Sequence, residues 1–113
     1  MDRLSLLAAF FDSHPDPVVI AGTDHKVLLL NRAAKEFFKG GHELEGKSLF
    51  DCHNGKSRGI MEGILARLAA GEAEEVQITE KPGQRTYMRA IRDSAGKLLG
   101  YYERYTYFPD LIP

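Results

Sequence analysis

The sequence predicts an α+β domain with about five strands and a small number of helices. Three observations favour this class: a strand, turn and strand pattern at residues 17–30, a long helical pattern at 56–70, and three further strand patterns after residue 74. Patterns of this kind are typical of one sheet whose apolar face is covered by helices.

The segment from Pro17 to Phe38 contains the strongest local pattern. Two short apolar runs flank a polar turn, and each run has the length of a strand. The first run, 18–20, is β-branched, which favours an extended backbone. Gly22 and Asp24 are turn formers, and His25 stands where a bend in the backbone favours glycine. The segment is therefore predicted to begin with a β-hairpin.

Three helices are predicted. Residues 2–13 carry apolar side chains on two adjacent stripes at helical spacing, and the following His-Pro-Asp-Pro ends that helix. Asn31 is predicted to cap a short helix over Arg32–Phe38, because its side-chain oxygen can accept an unpaired amide. The longest helix is predicted over Lys56–Ala70, with Gly71 as its stop and an apolar face formed by Met61, Ile64, Leu65 and Leu68.

The second half of the chain predicts three strands. They cover Glu75–Lys81, with Val76 and Ile78 inward, then Arg85–Arg92 and Lys97–Tyr107, with a Pro-Gly-Gln turn between the first two. In Arg85–Arg92, Tyr87 and Ile91 compete with Met88 and Ala90. The alternation therefore leaves open which face of this strand is buried.

Length, charge and cysteine content narrow the class further. The chain has 113 residues, which suits one domain, and its net charge of -1 with mixed signs disfavours nucleic acid and anionic membranes as partners. Cys52 is the only cysteine, which excludes an intrachain disulfide and an all-cysteine metal site. Residues 1–11 lack the basic leader of a signal peptide, and no apolar run reaches the roughly twenty residues that cross a bilayer. We expect a cytoplasmic protein.

Several short motifs, taken in order, carry a family resemblance. The hairpin is followed by Asn31-Arg32-Ala33-Ala34, by Phe37-Phe38 and by Glu45-Gly46-Lys47-Ser48-Leu49, and residues 91–100 read Ile-Arg-Asp-Ser-Ala-Gly-Lys-Leu-Leu-Gly. In this order and spacing they resemble a PAS domain, the sensory module of many bacterial signalling proteins. The resemblance covers about residues 12–107 and implies the PAS fold, a five-stranded antiparallel sheet with helices on one face.

The resemblance implies an organisation and a function. It divides the chain into an N-terminal dimerisation or packing helix at 1–13, a PAS domain at 14–107 and a tail at 108–113. Such a domain binds a small ligand or cofactor in its interior and signals through dimer or partner contacts. The expected partners are a second copy, held through the N-terminal helix and the outer sheet face, and an effector protein in trans or in the same longer chain. The expected interior lining is Val19, Leu28, Leu30, Phe37, Phe50, Cys52, His53, Met61, Ile64, Leu65, Leu68 and Met88.

The stretch Asp51-Cys52-His53-Asn54 offers the most chemistry, because thiolate and imidazole are both axial ligands of haem iron. Haem held by His53 or Cys52 is therefore the best single cofactor candidate. The other interpretation is a small buried cysteine and a helix-start histidine. Oxygen-sensing haem PAS proteins place their histidine further into the long helix, where this chain has Ile60. A flavin is disfavoured, because Cys52 is displaced from the cysteine position of light-sensing PAS domains.

Other chemistry receives little support. The four histidines have no close pairing, no serine triad or spaced carboxylate pair is present, and the histidines are each interpreted as surface or turn residues. We expect binding without catalysis. Alternation on the last strand directs Tyr101, Tyr105 and Tyr107 to one face and Tyr102 to the other, and exposed aromatics are typical of a contact surface. The alternatives left open are a haem-based gas or redox sensor, a ligand-free dimerisation module of a larger signalling protein, and a small enzyme on a similar fold.

Overall fold

The computed structural model describes residues 1–38, 40–52 and 55–107; for residues 51, 52, 56, 79–81 and 107 it describes the backbone alone. The helices are α1 (Arg3–Ser13), α2 (Arg32–Phe37) and α3 (Gly55–Ala69), with short 3₁₀ turns at Gly41–Glu43 and Leu49–Cys52. The strands are β1 (Val18–Gly22), β2 (Val27–Leu30), β3 (Glu75–Lys81), β4 (Gln84–Arg92) and β5 (Leu98–Tyr107). The predicted tail at 108–113 lies outside the described residues.

The five strands form one antiparallel sheet in the order β2-β1-β5-β4-β3. The sheet confirms the predicted fold class. The strand β5 is central, and it is hydrogen-bonded to β1 on one side and to β4 on the other. It is also the last strand in the chain, so the sheet closes only when residues 98–107 insert between the first hairpin and the second.

The inner face of the sheet packs against α2 and α3. In the buried core, Val19 and Ala21 of β1 and Met88 of β4 lie with Met61, Ile64 and Leu68 of α3. Thr86 and Met88 are buried, which answers the question that the sequence left open for this strand. Val76 and Ile78 pack against the same core, as predicted.

A β-bulge shapes the first hairpin. Ile20 pairs with Leu29 and Ala21 pairs with Val27, so Leu28 has no opposing partner in β1. A bulge adds one residue to one of the two paired strands, and it therefore interrupts the alternation of inward and outward side chains along that strand. As a result Val27 and Leu30 are buried in the core, whereas Leu28 and Leu29 are 54% and 50% exposed. The prediction that Leu28 lines the interior was wrong.

Asn31 joins three segments of the chain. Its Oδ1 accepts from the amide of Ala34 at 2.9 Å, which confirms the predicted cap, and also from the amide of Val18 at 2.9 Å. Its Nδ2 donates to the carbonyl of Asp16 at 2.9 Å. The side chain is fully buried. One side chain therefore supplies the hydrogen-bond acceptor for an amide in the first turn of α2 and for the first amide of β1.

The helix α3 ends close to the predicted stop. Gly71 has a φ of 75°, and its amide donates to the carbonyl of Leu68 at 3.1 Å. A left-handed glycine after the last turn is a common helix end. The guanidinium of Arg92 on β4 also donates to the carbonyl of Leu68, while its Nε donates to Glu74 at 3.1 Å. These contacts fix the end of α3 against β4.

The helix α1 lies apart from the core. Asp2 caps it, and none of its side chains is buried. Asp12 accepts from the amide of Arg32 at 3.1 Å, which ties α1 to α2. Its apolar side chains Leu4, Leu6, Leu7 and Phe10 are 74%, 53%, 63% and 65% exposed. Within the described residues, no helix is both long enough and apolar enough to cross a membrane.

Candidate functional site

A row of polar side chains runs along the inner face of β5. Residues 101, 103 and 105 alternate toward the core, so Tyr101, Glu103 and Tyr105 share one face. Tyr101 and Glu103 are 0% and 1% exposed, and Tyr105 is half-buried. Because β5 is the central strand, this row lies in the middle of the domain.

At one end of the row, Tyr101 is hydrogen-bonded to His25. The Tyr101 Oη and the His25 Nδ1 are 2.7 Å apart, and both side chains are buried. Burial lowers the pKa of His25, against the charges of Glu62 and Asp24, and burial together with the Glu103 charge raises the pKa of Tyr101. Both groups are therefore neutral, and the pair is a neutral buried hydrogen bond.

His25 reaches this position from the hairpin corner. It has a φ of 65°, and among the described residues no other non-glycine residue has a positive φ. Its amide donates to the carbonyl of Gly22 at 3.0 Å, and its ring lies 4.2 Å from the ring of Phe50. The sequence interpretation of His25 as a turn residue is confirmed. Its side chain is buried, because the corner folds onto the core.

Glu103 is the most unusual group in the row. Its Oε2 accepts a hydrogen bond of 2.6 Å from the Tyr105 hydroxyl, whereas its Oε1 has no partner among the side chains that the structure describes. Val19 and Met88 flank it in register, and both are buried and apolar. Burial raises the pKa of Glu103, and the hydrogen bond from Tyr105 opposes part of that shift. An unsatisfied buried polar atom costs about 1–3 kcal/mol, and more when it is charged.

An aromatic cluster lies beside this carboxyl group, formed by Phe37, Phe38 and Tyr105. The ring centroids of Phe37 and Phe38 are 4.9 Å apart, and they lie 5.7 Å and 5.3 Å from that of Tyr105. Phe37 is 43% exposed, whereas Tyr105 reaches Glu103. The cluster therefore connects the surface with the buried carboxyl. The prediction that Phe37 lines the interior was wrong, because it is the last residue of α2, a helix of six residues, and its side chain is 43% exposed.

The structure places the other predicted lining residues as follows. Val19, Leu30, Met61, Ile64, Leu68 and Met88 are buried in one core, and Phe50 and Leu65 are partly buried against it. The backbone of Cys52 ends the second 3₁₀ turn, its side chain is not described, and His53 lies outside the described residues. Contact of any of them with a ligand stays a prediction.

The polar row was missed by sequence reasoning. The sequence placed Tyr101 and Tyr105 on one face and suggested a contact surface for exposed aromatics, but their shared face is the inner one, so these two tyrosines do not form such a surface. Tyr102 lies on the opposite face from Tyr101 and Tyr105, as the alternation predicted, and the side chain of Tyr107 is not described. The sequence signal that could have indicated this row was the position of Glu103 between two tyrosines on the same face of the strand.

The outer face of the sheet has an apolar side and a polar side. On the polar side, Glu75 accepts from Arg104 at 3.2 Å and lies 3.7 Å from Arg89, and the Arg104 guanidinium lies 4.5 Å from the ring centre of Tyr87. On the apolar side, a groove of about 510 Å³ separates α1 from the first hairpin. Its lining includes Leu4, Leu7, Phe10, Phe11, Ile20 and Leu29.

The order of the strands, the position of α3 and the short helices between them match a known family. The family model described as the PAS fold matches residues 11–106. This chain belongs to the PAS family. The match covers more than half of the chain and confirms the resemblance that the motifs carried.

Solved structures place the PAS domain among known folds. A C-terminal domain from Streptococcus mutans has a TM-score of 0.74 at 20% identity, covering 95% of this chain and 86% of that one. The PAS domain of BvgS from Bordetella pertussis has a TM-score of 0.67 at 19% identity, covering 96% and 88%. The Aer2 receptor from Vibrio cholerae, described as a dual PAS-heme oxygen sensor, has a TM-score of 0.62 at 18% identity, covering 82% and 94%.

These identities are low, so the likenesses concern the fold of this PAS domain and not its ligand. None of the curated protein sequences is similar enough to count as a relative. In the part of the chain that the structure describes, no three His, Cys, Asp or Glu side chains come together as a metal site. The polar row on β5 is therefore the candidate site that the geometry itself supplies.

Proposed function

We propose that this PAS domain is a sensory domain that binds a small molecule between its sheet and α3, and that works by binding without turnover. The bound molecule would lie against the inner face of β5. The family membership supports a sensory role, because proteins described as sensors are among the structural neighbours of this domain. The ligand would change the position of β5, and a partner at the outer face would respond to that change.

The observation that supports this proposal is the incomplete hydrogen bonding of Glu103. A folded domain that needed only a filled core would be more stable with an apolar residue between Val19 and Met88. The carboxyl group instead keeps an oxygen without a partner among the described side chains. Buried polar groups of this kind are typical of sites that are completed by a ligand.

The alternation of β5 supports a route from the interior to the outer face. Tyr101 and Glu103 face the core, whereas Tyr102 and Arg104 between them face outward. A ligand that moved Glu103 would therefore move the backbone that carries Arg104. Arg104 is held by Glu75 of β3, so the outer ion pair would report the change.

We propose that the partner is a second copy, held through α1 and the outer sheet face. The exposed Leu4, Leu7 and Phe10 border an apolar groove against the first hairpin, and a patch of this type is typical of an interface. The patch continues toward Tyr102 and Arg104, which line a second groove with Phe10. An effector protein, in trans or in the same longer chain, would bind the same dimer.

One experiment tests ligand and oligomeric state together. Native mass spectrometry of the purified chain, combined with an absorption spectrum, should show a dimer and a bound small molecule. Leu7→Asp should yield monomers, whereas Leu99→Asp, an exposed change on β5 that lines neither groove beside α1, should leave the dimer intact. A ligand-free protein whose mass stays unchanged after incubation with cell extract would contradict the sensory proposal. A Leu7→Asp protein that remained dimeric would contradict the role given to α1.

Haem is a second candidate, because Cys52 ends the 3₁₀ turn directly before α3, and His53 follows it in the sequence. Ile60, at the place of the histidine in oxygen-sensing relatives, is 47% exposed on α3 and does not fit an axial role. His53 or Cys52 would hold the iron, and haem would supply gas or redox binding. A Soret band that disappears in His53→Ala or Cys52→Ala would support this candidate, and colourless protein after haem reconstitution would count against it.

The exposed apolar face of α1 also favours a third candidate, a ligand-free dimerisation module. In that case the dimer would form with the same affinity in the presence and absence of any interior molecule. Sedimentation of the ligand-free protein at several concentrations distinguishes the two cases, since a sensory domain should change its dimer affinity or shape when a ligand is added.

A further inference from the structure

The unpartnered oxygen of Glu103 defines what a ligand must offer. Oε1 is buried without a partner among the described side chains, and the other oxygen is already bonded to Tyr105. Among the described ion pairs, none joins Glu103 to a cationic side chain. Its neighbours in register, Val19 and Met88, provide no donor. For the ionised carboxylate the missing group is a hydrogen-bond donor, and a positively charged donor would also balance the charge.

The aromatic cluster supports the same charge. The rings of Phe37, Phe38 and Tyr105 lie within 4.9–5.7 Å of one another and lead from the exposed Phe37 to the carboxyl. The faces of aromatic rings attract cations electrostatically. A buried carboxylate that is bonded to one member of an aromatic cluster is a combination that favours a cation carrying N–H groups and disfavours an anion.

Burial alone favours the protonated form of the carboxyl group, because it raises the pKa of Glu103. A neutral donor, such as an alcohol or amide, could satisfy Oε1 but would not favour ionisation of the carboxyl group, whereas a cation would. A cation satisfies both requirements, and a buried carboxylate is tolerated best when it is paired and hydrogen-bonded. The apolar neighbours Val19 and Met88 and the three rings favour an apolar remainder of the molecule.

We propose that Glu103 and the cluster of Phe37, Phe38 and Tyr105 bind a small organic ammonium ion with an apolar body. The ammonium group donates to Oε1 of Glu103, and the rings contact the apolar body and the edge of the charge. This inference rests on the proposed function, because it names the class of molecule that the interior takes.

Three probes of matched size test the charge. Isothermal titration calorimetry of the full chain would use 2-phenylethylamine, 2-phenylethanol and phenylacetate, which are cationic, neutral and anionic. The amine should bind roughly 10- to 100-fold more tightly than the alcohol, which is the range expected for a charge-assisted hydrogen bond. The anion should bind least.

Variants then assign the effect to the site. Glu103→Gln keeps the shape and removes the charge, so the amine should lose its advantage over the alcohol. Phe37→Leu removes the exposed ring and leaves the carboxyl in place, and it should weaken the amine roughly 2- to 5-fold. Glu36→Gln changes an exposed carboxyl that neighbours Phe37 on α2, and it should leave all three affinities unchanged. Circular dichroism verifies that each variant is folded.

The outcomes separate this inference from the proposed function. Equal or tighter binding of the alcohol, or an unchanged amine affinity in Glu103→Gln, would overturn the ammonium site and leave an interior ligand of another class in place. A neutral or acidic molecule found bound by native mass spectrometry would do the same. Failure of all three probes would also overturn the inference, and the proposed function would fail with it only if the purified chain carried no molecule either. If Glu103→Gln does not fold, the comparison of the three probes and the Phe37→Leu variant still test the ammonium site.

Discussion

Replacing Gly100 with alanine should open the sheet between β1 and β5. A Cβ at Gly100 would overlap the carbonyl oxygen of Ala21 and would lie 3.2 Å from the Cα of Gly22. Both contacts are backbone atoms, and Gly22 is the partner of Gly100 in the ladder, so neither can move without loss of pairing. Overpacking of this kind costs about 1–3 kcal/mol, and one lost ladder hydrogen bond adds about 0.5–1.5 kcal/mol. We expect a loss of about 2–4 kcal/mol in the free energy of unfolding.

Urea unfolding followed by circular dichroism measures this loss. For a domain of 113 residues, 1 kcal/mol corresponds to about 4 °C in Tm, so Gly100→Ala should melt roughly 8–16 °C lower. Gly63→Ala is the matched control: it lies in α3, a Cβ there meets nothing within 4 Å, and helix propensity should add about 0.5–1 kcal/mol of stability. A Gly100→Ala protein within about 0.5 kcal/mol of the wild type, beside a control that behaves as stated, would refute the argument from close approach.

Three further predictions concern buried polar groups. Asn31→Ala removes an oxygen that accepts from two backbone amides, and it should lower the free energy of unfolding, measured in urea, by about 2–4 kcal/mol. Asn31→Asp keeps an acceptor oxygen and should lose less stability. Equal losses in the two variants would contradict the role of that oxygen. Tyr101→Phe leaves the His25 Nδ1 without its partner and should cost about 1–3 kcal/mol; an unchanged urea midpoint would be evidence against the pair. The folded state raises the pKa of Glu103 above its ordinary 4.5, so the stabilisation from its protonated form is present below that pH and is lost as pH rises toward the folded pKa. Thermal melts of Glu103→Gln should therefore decline less over that range than those of the wild type, and parallel curves would speak against a buried acid.

Local patterns predicted most of the fold. The β-branched run at 18–20 favours an extended backbone wherever it is placed, and Gly71 stops α3 through its own left-handed conformation. The cap at Asn31 needs only the three residues that follow it. Features whose cause lies within a few residues can be predicted from the sequence, and the order of such features was enough to indicate the family.

The candidate site depended on contacts that the sequence does not contain. On β5, Tyr101, Glu103 and Tyr105 are no more apolar than Tyr102 and Arg104, so alternation gives two similar faces. The inner face was decided by pairing with β1 and β4, which set Val19 and Met88 beside Glu103. In the same way, the exposure of Leu28 follows from a bulge that exists only when β2 pairs with β1.

The hairpin corner has a consequence for the evolution of this domain. His25 adopts a backbone conformation that glycine tolerates better, and it also supplies the ring that meets Tyr101. A change of His25 to glycine would relieve the backbone strain at the corner and would remove the imidazole that is hydrogen-bonded to Tyr101. Other replacements would remove the imidazole and leave the backbone strain in place. A homologue without the imidazole would need another hydrogen-bond partner for the buried hydroxyl of Tyr101. We therefore expect positions 25 and 101 to change together or not at all.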